Sequence, residues 1–457
     1  MARTLIAAEV PMGTRASRKL AFIWRLFAVL GLVAAACSPA PSAPTQPPAG
    51  QPKIPGAPSE IKVGLVTFLS GAASGPFGIP ARTAAEVWVD KLNREGGIGG
   101  AQIKLVIVDE NVPTDQQVVQ LRRLALDEKV DLVIGYISSA NCLAVAPVAE
   151  ELKLLTVLFD CGTNQVFEEG RYKYVFRTAA HTGIDGIGAA RYLLMVKPDV
   201  KTVAGINQDY AWGRDSWEIF IRALRKLKPD VQVLDTLWPR LQQNEFSGEI
   251  SKLLSLKPEV VFTSFWGGDF VSFINQARAR GVFDQTTILF NNDGSNIEEF
   301  GKDLPDGIII GFRGPHWIEY PDPNQNPLQK EFIDLYRAKY GKYPMPHGSY
   351  HVVQALQGVK AAYEKAAQAA GRWPTVDEVI KAFEYLEFDS PSGRISMAIG
   401  YGHQAVEPAV YGITKLDPQL GFSRLDRVKV FPVKCVNPPD GVKTLDWIDQ
   451  GFPGAQC

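Results

Sequence analysis

The sequence predicts an α/β protein made of two lobes, each a doubly wound parallel sheet. Short β-branched segments alternate with segments of helical spacing, which is typical of a parallel sheet with helices on both faces. This alternation occurs in two consecutive series, one ending near residue 177 and one following it. The chain has 457 residues, 46% of them hydrophobic, which is enough for two globular cores.

The first 37 residues have the pattern of an export signal. A basic stretch between Arg15 and Arg25 precedes an apolar run at 26–36, which is too short to span a bilayer as a mature helix. The run ends at Cys37 and resembles a bacterial lipobox, in which the cysteine is acylated and becomes the N-terminus. The alternative is ordinary signal-peptidase cleavage, which leaves Cys37 as a free thiol.

Residues 38–59 are rich in Pro, Ala, Ser and Gln and contain almost no large apolar side chain. Such a segment cannot bury a core, and its prolines keep it extended. We therefore expect a disordered tether between a lipid anchor and a folded body. The protein is predicted to be periplasmic or otherwise extracytoplasmic, and to contact the membrane through its N-terminal lipid only.

The first series after the tether supplies the strands and helices of one sheet. Helix 80–93 follows the first strand, and a glycine-rich turn leads into the second strand. Thr114 and Gln117 have the spacing of a capping box for helix 114–127. A further helix begins at about Asn141. The predicted strands are 61–67, 102–109, 132–135 and 154–159.

The second series supplies the other sheet, and a mostly helical region with a β-rich end follows it. Its predicted strands are 202–207, 231–237, 260–264, 287–290 and 307–312, and its helices are 182–195, 212–226, 246–255 and 269–280. The later helices are predicted at 328–340, 349–370 and 375–385, before β-rich sequence from 394 that includes 409–414.

Ligands of open parallel sheets bind outside the carboxyl ends of the strands, so the residues after each strand are the candidate site. In the first series, Phe77 ends a glycine-rich loop that allows close approach of a ligand. Ser139 and its neighbours open a helix, where free N–H groups favour a carboxylate, and Thr163 offers a second hydroxyl. The alternative for Ser139 is a plain helix cap.

In the second series, aromatic residues follow two strands and an acidic residue follows a third. Tyr210 and Trp212 follow one strand, Trp266 follows another, and Asp293 follows a third. This pattern favours an apolar wall with one carboxylate for a cationic or hydrogen-bond-donating group. The alternative is that these aromatic side chains belong to an ordinary core.

Besides Cys37, the chain has four cysteines, and an even number in an exported protein favours disulfides. Three pairings are possible. The predicted fold puts Cys142 and Cys161 at the ends of neighbouring strands and leaves Cys435 and Cys457 together near the C-terminus, so we prefer Cys142–Cys161 and Cys435–Cys457. Their spacing is not that of a zinc site.

Several function classes lack support in the sequence. The motifs HExxH, GxxxxGK[ST], GxSxG and CxxC do not occur, so no enzyme activity and no cofactor are predicted. His347 and His351 have i,i+4 spacing but no evident third ligand, and they are interpreted as structural rather than metal-binding. The net charge of −1, with both signs interleaved, argues against nucleic-acid binding.

Residues 61–414 closely resemble the bacterial branched-chain amino acid (Leu/Ile/Val) binding-protein family of ABC transporters. The most specific matches are GIPA at 78–81, NREGGIGG at 93–100 and VD at 108–109, with a further similarity at 209–215. The resemblance implies the type I periplasmic-binding fold, with a ligand cleft between lobes joined by three crossovers, near 178–180, 311–315 and 389–393. Lobe 1 would then be 60–178 and 315–390, and lobe 2 would be 179–314 and 391–457.

The resemblance also implies roles for individual residues. An amino acid's carboxylate would be held by Ser139 with the backbone of Ile137 and Ser138, and by Cys161 with Thr163. Asp293 would hold the ammonium, and Phe77, Trp212 and Trp266 would be aromatic gates. Phe or Trp replaces tyrosine at the gates, and Asp293 replaces a longer glutamate, so the cavity differs in outline from that of relatives, whose ligands also include aromatic acids, amides and urea.

The expected function is capture of a small amphiphilic solute, such as an amino acid with an apolar or aromatic side chain, by hinge closure. The expected partners are the solute and the permease and ATPase subunits of an ABC importer, and the protein itself is expected to be a monomer. Alternatives are a binding protein for aromatic acids or short amides, a sensor subunit that imports nothing, or an extracytoplasmic enzyme.

Overall fold

The computed structural model of the protein describes residues 53–292, 294, 297–317 and 326–457. The predicted export signal with Cys37, and the first part of the tether, lie outside the described residues. Asp293 also lies outside them. Among the helices that are described, none combines the length and apolar character needed to cross a membrane.

The first part of the chain builds one side of a mostly parallel sheet. Strand β1 lies next to the edge strand β2 and has parallel neighbours on both sides, and the short third strand is buried along its whole length. In chain order the elements are β1 (Glu60–Thr67), α1 (Ile79–Arg94), β2 (Gln102–Asp109), α2 (Thr114–Leu126), β3 (Leu132–Gly135), α3 (Ser139–Leu152), β4 (Thr156–Leu158), α4 (Gln165–Glu168) and β5 (Val175–Arg177).

The second part repeats this alternation and builds a separate sheet. Four of its five strands are buried at nearly every residue, and the strands of the series pair in parallel, as expected for strands covered by helices on both faces. The elements are α5 (Thr182–Val196), β6 (Thr202–Ile206), α6 (Ala211–Leu227), β7 (Gln232–Leu237), α7 (Ser247–Leu256), β8 (Val260–Thr263), α8 (Gly267–Ala279), β9 (Thr287–Phe290), α9 (Ile297–Phe300) and β10 (Ile309–Arg313).

The chain then returns to the first sheet and finally to the second. The first sheet gains α10 (Pro327–Tyr340), α11 (Gly348–Ala370), α12 (Val376–Phe383), β11 (Glu387–Ser390), β12 (Gly393–Ile399) and β13 (Gln404–Val406). The second gains β14 (Ala409–Asp417), β15 (Phe422–Phe431), α13 (Val433–Val436) and α14 (Thr444–Asp449). The strand orders are β11-β12-β13-β5-β4-β3-β1-β2 and β15-β14-β10-β9-β8-β6-β7.

The boundary of the lobes differs from the prediction at one place. The third crossover was expected near 389–393, but there the chain makes a hairpin in which β11 and β12 pair antiparallel, with Ser390 opposite Gly393. β13 then pairs with β5 through Gln404 and Arg177, so residues up to 406 belong to lobe 1. The chain crosses to lobe 2 between Val406 and Ala409.

A local prediction at the start of α2 is also corrected. Thr114 and Gln117 do not form a capping box. The Gln117 side chain instead donates a hydrogen bond of 2.6 Å to the main-chain oxygen of Glu110, and the Thr114 hydroxyl bonds to Asn141 at 3.0 Å. The two side chains therefore tie α2 to the residue after β2 and to the first turn of α3.

Two disulfides reinforce the regions around the cleft and the C-terminus. The structure joins Cys142 to Cys161 and Cys435 to Cys457, which is the pairing preferred from the sequence. The first links the start of α3 to the loop after β4. The second closes the C-terminal segment, residues 432–457, which packs on α5 and α6 of lobe 2. We call this segment the tail.

Candidate functional site

A cavity lies between the lobes, where the carboxyl ends of the strands of both sheets meet. Its volume is about 30 Å³, well below the roughly 300–1,000 Å³ usual for ligand pockets, because aromatic side chains fill most of the gap. We call it the cleft cavity. Lobe 1 contributes Phe77, Ile137, Ser139, Asp160 and Gly162, and lobe 2 contributes Tyr210, Trp212, Trp266, Asn292 and Arg313.

The aromatic residues of the cleft cavity present ring faces rather than N–H groups. The indole N–H of Trp212 donates to the main-chain oxygen of Ser264 at 2.8 Å, and that of Trp266 donates to the Tyr210 hydroxyl at 2.8 Å. The rings of Trp266 and of Phe77 from the other lobe form a T-shaped pair with their centroids 5.8 Å apart. A solute entering here therefore meets π surfaces, which favour apolar or aromatic groups.

Two hydroxyl groups supply hydrogen-bond donors to the cavity. The Ser139 oxygen accepts the N–H groups of Gly162 and Thr163, at 3.3 and 3.2 Å, so its own proton remains available for a third partner. The Tyr210 oxygen accepts from Trp266, which likewise leaves its proton available. Together they suit an acceptor group such as a carboxylate or a carbonyl.

The backbone N–H groups expected to hold a carboxylate already hold one from the protein. Both Ile137 and Ser138 donate to the Glu110 carboxylate, at 2.9 and 2.8 Å, and the Asn141 side chain donates at 3.1 Å. Glu110 is fully buried, and this burial raises its pKa to about 7. The anion that contacts the N–H groups of Ile137 and Ser138 in this structure is thus the protein's own Glu110 and not a ligand.

Three other predicted residues do not line the cavity. Ser138 is engaged as just described, and Cys161 is disulfide-bonded. The Thr163 hydroxyl donates to Asp215 on α6 at 2.5 Å, so it joins the two lobes instead of facing a solute. The predicted residues that do line the cavity are Phe77, Ile137, Ser139, Tyr210, Trp212 and Trp266.

Two buried acceptor atoms beside the cavity lack partners. Asp160 uses one carboxylate oxygen to accept from His351 Nδ1 at 2.9 Å, whereas its Oδ2 has no hydrogen bond within the described part of the chain. Asn292 Oδ1 is likewise buried and unpartnered there. Because a buried acceptor without a partner is costly, these atoms indicate a donor that enters with the ligand or with water.

Arg313 sets the charge of the cleft cavity. Its guanidinium is 1% exposed, pairs with Asp185 at 2.7 Å within lobe 2, and donates to the main-chain oxygen of Asp160 in lobe 1 at 2.8 Å. Arg313 and Asp160 are the charged side chains of the lining, one of each sign. The site therefore suits a neutral or zwitterionic solute better than one with a large net charge.

The predicted histidine pair lies next to this site. The ring of His347 stacks on the rings of Phe77 and Phe312, with centroid distances of 6.3 and 5.0 Å. It therefore supports the aromatic wall from behind. Burial lowers the pKa of His351, but the neighbouring Asp160 outweighs this effect and raises that pKa overall. Among the described residues, no group of three or more His, Cys, Asp or Glu side chains is arranged to hold a metal ion.

Sequence reasoning missed Glu110, Asp160, Asn292 and Arg313. Each lies at the end of a strand or within two residues after it, the region from which the other candidates were chosen, so the signal was present. The sequence offered no reason to distinguish these four residues from neighbouring polar residues, because their hydrogen-bond partners are distant along the chain. Glu110 and Ile137, for example, are 27 positions apart.

Comparison with known proteins finds relatives that are solute-binding proteins. The profile of a periplasmic binding protein family matches residues 60–417. A leucine-, isoleucine-, valine-, threonine- and alanine-binding protein of Pseudomonas aeruginosa is 23% identical over 336 residues, covering 72% of this chain and 84% of that protein. Leu/Ile/Val-binding protein homolog 8 of Brucella abortus is 26% identical over 353 residues, covering 75% of this chain and 84% of that protein.

Solved structures agree in fold. The solute binding protein of an ABC transporter from R. palustris, in complex with benzoate, superposes with a TM-score of 0.71 at 22% identity, covering 84% of this chain and 99% of that one. A leucine binding protein from Thermotoga maritima gives 0.67 at 23% identity, covering 80% and 98%. The predicted fold class and family resemblance are both confirmed.

Proposed function

Because the chain belongs to the periplasmic binding protein family that includes the Leu/Ile/Val-binding proteins, we propose that it is the solute-binding subunit of an ABC importer. It captures a small amphiphilic solute when its lobes close. The observation that carries this proposal is the set of unpartnered polar atoms that both lobes direct to one aromatic-walled cavity. Contacts to both lobes are what make a solute favour the closed form.

The ligand class follows from the chemistry of these atoms. An amino acid with an apolar or aromatic side chain uses three of them. Its carboxylate accepts from the hydroxyls of Ser139 and Tyr210, and its ammonium donates to Asp160 Oδ2, with Asp293 as the partner expected from the sequence. Its side chain lies on the indole faces. A charge-assisted hydrogen bond of this kind contributes about 1.5–3 kcal/mol.

An aromatic carboxylate is the second candidate. The ring faces of Trp212 and Trp266 favour it, and the related R. palustris protein was solved with benzoate. Such a ligand has no ammonium and leaves Asp160 Oδ2 without a donor. The effect of removing the Asp160 carboxylate on affinity therefore distinguishes the two classes.

Calorimetric titration with phenylalanine, leucine, benzoate and benzamide tests the proposal. We expect an amino acid to bind, and Asp160→Asn to weaken it roughly 10- to 100-fold because the charge is lost. Asp377→Asn, an exposed carboxylate of lobe 1, is the matched control and should have no effect. Tight benzoate binding that Asp160→Asn preserves or improves would replace the amino acid with the second candidate, and no binding by any of the four would refute both.

The location and anchor form a separate part of the proposal. The family supports an extracytoplasmic location, and the lipobox-like sequence at 34–37 supports acylation of Cys37. Metabolic labelling with an alkyne fatty acid should tag the full-length protein and leave Cys37→Ser untagged. A tag of equal intensity on the variant would place the lipid elsewhere, and no tag on either would favour ordinary signal-peptidase cleavage.

A further inference from the structure

A second cavity, of about 240 Å³, lies between lobe 1 and the tail. Its floor contains Arg177 and Gln404, and its walls include Phe167 on α4, Tyr401 in the turn before β13, and Val442 of the tail. It shares no lining residue with the cleft cavity. We call it the tail cavity.

Arg177 is the unusual feature of this cavity. Its side chain is 1% exposed, yet none of its hydrogen bonds goes to a carboxylate. Nε donates to the Gln404 side chain at 2.5 Å, and Nη1 donates to the main-chain oxygens of Cys161 and Thr163, both at 2.8 Å. Nη2 has no acceptor among the described residues. A buried guanidinium usually pairs with an anion, because an uncompensated buried charge is strongly destabilising.

The carboxylates nearest the cavity are already engaged with other groups. Glu168 accepts the N–H and hydroxyl of Thr444, at 3.0 and 2.6 Å, and Glu169 pairs with Lys443 at 2.5 Å. Counting Arg171, whose guanidinium lies over the ring of Tyr401, the lining holds three cations and two carboxylates. The cations of the lining therefore outnumber its carboxylates by one, and neither Arg177 nor Arg171 is bonded to a carboxylate within the described residues.

We propose that the tail cavity binds a small monocarboxylate, whose oxygen accepts from Nη2 of Arg177 and whose apolar part lies against Phe167 and Tyr401. The cavity volume is large enough for a carboxylate with a small ring or short chain. Binding at this site does not depend on the function proposed for the cleft.

The same guanidinium connects the two cavities. Nη1 holds the carbonyls on either side of Gly162, and Gly162 lines the cleft cavity. An anion on Nη2 fixes the guanidinium and with it this loop, so occupancy of the tail cavity changes the affinity of the cleft for its solute. Thermodynamic linkage requires the reverse effect to be equal. This coupling, unlike the binding itself, rests on the proposed function.

Crystals soaked in 4-bromobenzoate test the site directly, because bromine scatters anomalously. We expect an anomalous peak in the tail cavity, with a carboxylate oxygen within about 3.2 Å of Arg177 Nη2. Bromine density only in the cleft cavity would overturn this inference while supporting solute binding in the cleft. An absence of bound bromine in both cavities would also overturn it.

Calorimetry in solution complements the crystals. Val442→Trp fills the tail cavity without removing Arg177, and it should weaken one class of 4-bromobenzoate sites at least tenfold. Val376→Trp makes the same change at a position of lobe 1 that is 36% exposed, and it should leave binding unchanged. Equal binding by the Val442→Trp variant and the unsubstituted protein would refute the site even if crystals show density.

Discussion

Glu110 occupies the position at which a ligand carboxylate was expected. It lies at the end of β2 and accepts the N–H groups that open α3, so it holds the loop of Ile137 and Ser139 in place from behind. The wall of the cleft cavity is thus supported by a buried acid. Burial raises the pKa of that acid to about 7, from an ordinary value of 4.5.

This pKa predicts a pH-dependent contribution to stability. Between pH 4.5 and 7 the folded protein binds more protons at Glu110 than the unfolded chain, so the free energy of unfolding falls as pH rises through that interval. The free energy of unfolding should fall by about 3 kcal/mol over this interval because of Glu110. The side chain of the Glu110→Gln variant cannot titrate, so this pH-dependent fall should be absent. Urea unfolding at pH 4 and pH 8 should show a smaller pH dependence for the variant, and identical dependences would contradict the raised pKa.

Gly162 is predicted to be essential for closure. A Cβ at this position would lie 2.2 Å from the ring of Trp212 and 2.4 Å from Arg313 Nη2, both of the opposite lobe. Gly162→Ala should therefore hold the lobes apart, increase the radius of gyration in X-ray scattering and weaken solute binding at least tenfold. Gly75→Ala, whose Cβ would meet nothing within 4 Å, is the control. Unchanged scattering and affinity for Gly162→Ala would show that the lobes close differently.

At the scale of elements, the regular strands and helices were predictable and the short ones were not. The strands around β1 and β8 are runs of buried β-branched residues, a signal that survives without tertiary information. β5 and β13 have three residues each, too few to show a period, and they are strands only because each pairs with a neighbour. Because β11, β12 and β13 all belong to the first sheet, the third crossover follows β13 and does not lie near 389–393, where the family resemblance placed it.

The candidate site was predictable to a similar degree. The rule that ligands bind at strand ends led to Phe77, Ser139, Tyr210, Trp212 and Trp266, because it depends on topology alone. It did not show that Thr163 bonds across to Asp215 or that Glu110 occupies the N–H groups of α3. These contacts depend on how the lobes and loops pack, which no local pattern in the sequence encodes.

The tail is predicted to depend on its disulfide. Trp447 of α14 is buried against lobe 2, but the tail is short, and Cys435–Cys457 closes a loop with a sequence separation of 22. By chain entropy this bond contributes about 3 kcal/mol. Replacing both cysteines with serine should lower the free energy of unfolding by about 2–4 kcal/mol in oxidising buffer. A difference below about 1 kcal/mol would mean that packing alone holds the tail.

At the scale of the whole molecule, contacts between the lobes occur both at the cleft cavity and outside it. Thr163 bonds to Asp215, and Arg313 bonds to the main chain of Asp160. The tail, which packs on lobe 2, bonds to lobe 1 through Thr444. These bonds stabilise the closed form without a solute, so the free protein is expected to sample it. The affinity for a solute then depends on the fraction of molecules that can close.

Thr444→Val tests whether the tail takes part in closure. The Thr444 hydroxyl donates to Glu168 at 2.6 Å and accepts from Asn164 at 2.7 Å, both of lobe 1, and valine keeps the shape but loses both bonds. The closed form should lose about 1–2 kcal/mol, which corresponds to a roughly 5- to 30-fold weaker affinity for the solute. The radius of gyration of the free protein should increase, and saturating solute should restore the original value. Thr236→Val, on the edge strand β7, is the matched control. An unchanged affinity together with a lower free energy of unfolding would mean that Thr444 stabilises the fold alone, and that closure depends on the contacts around Gly162 and Arg313.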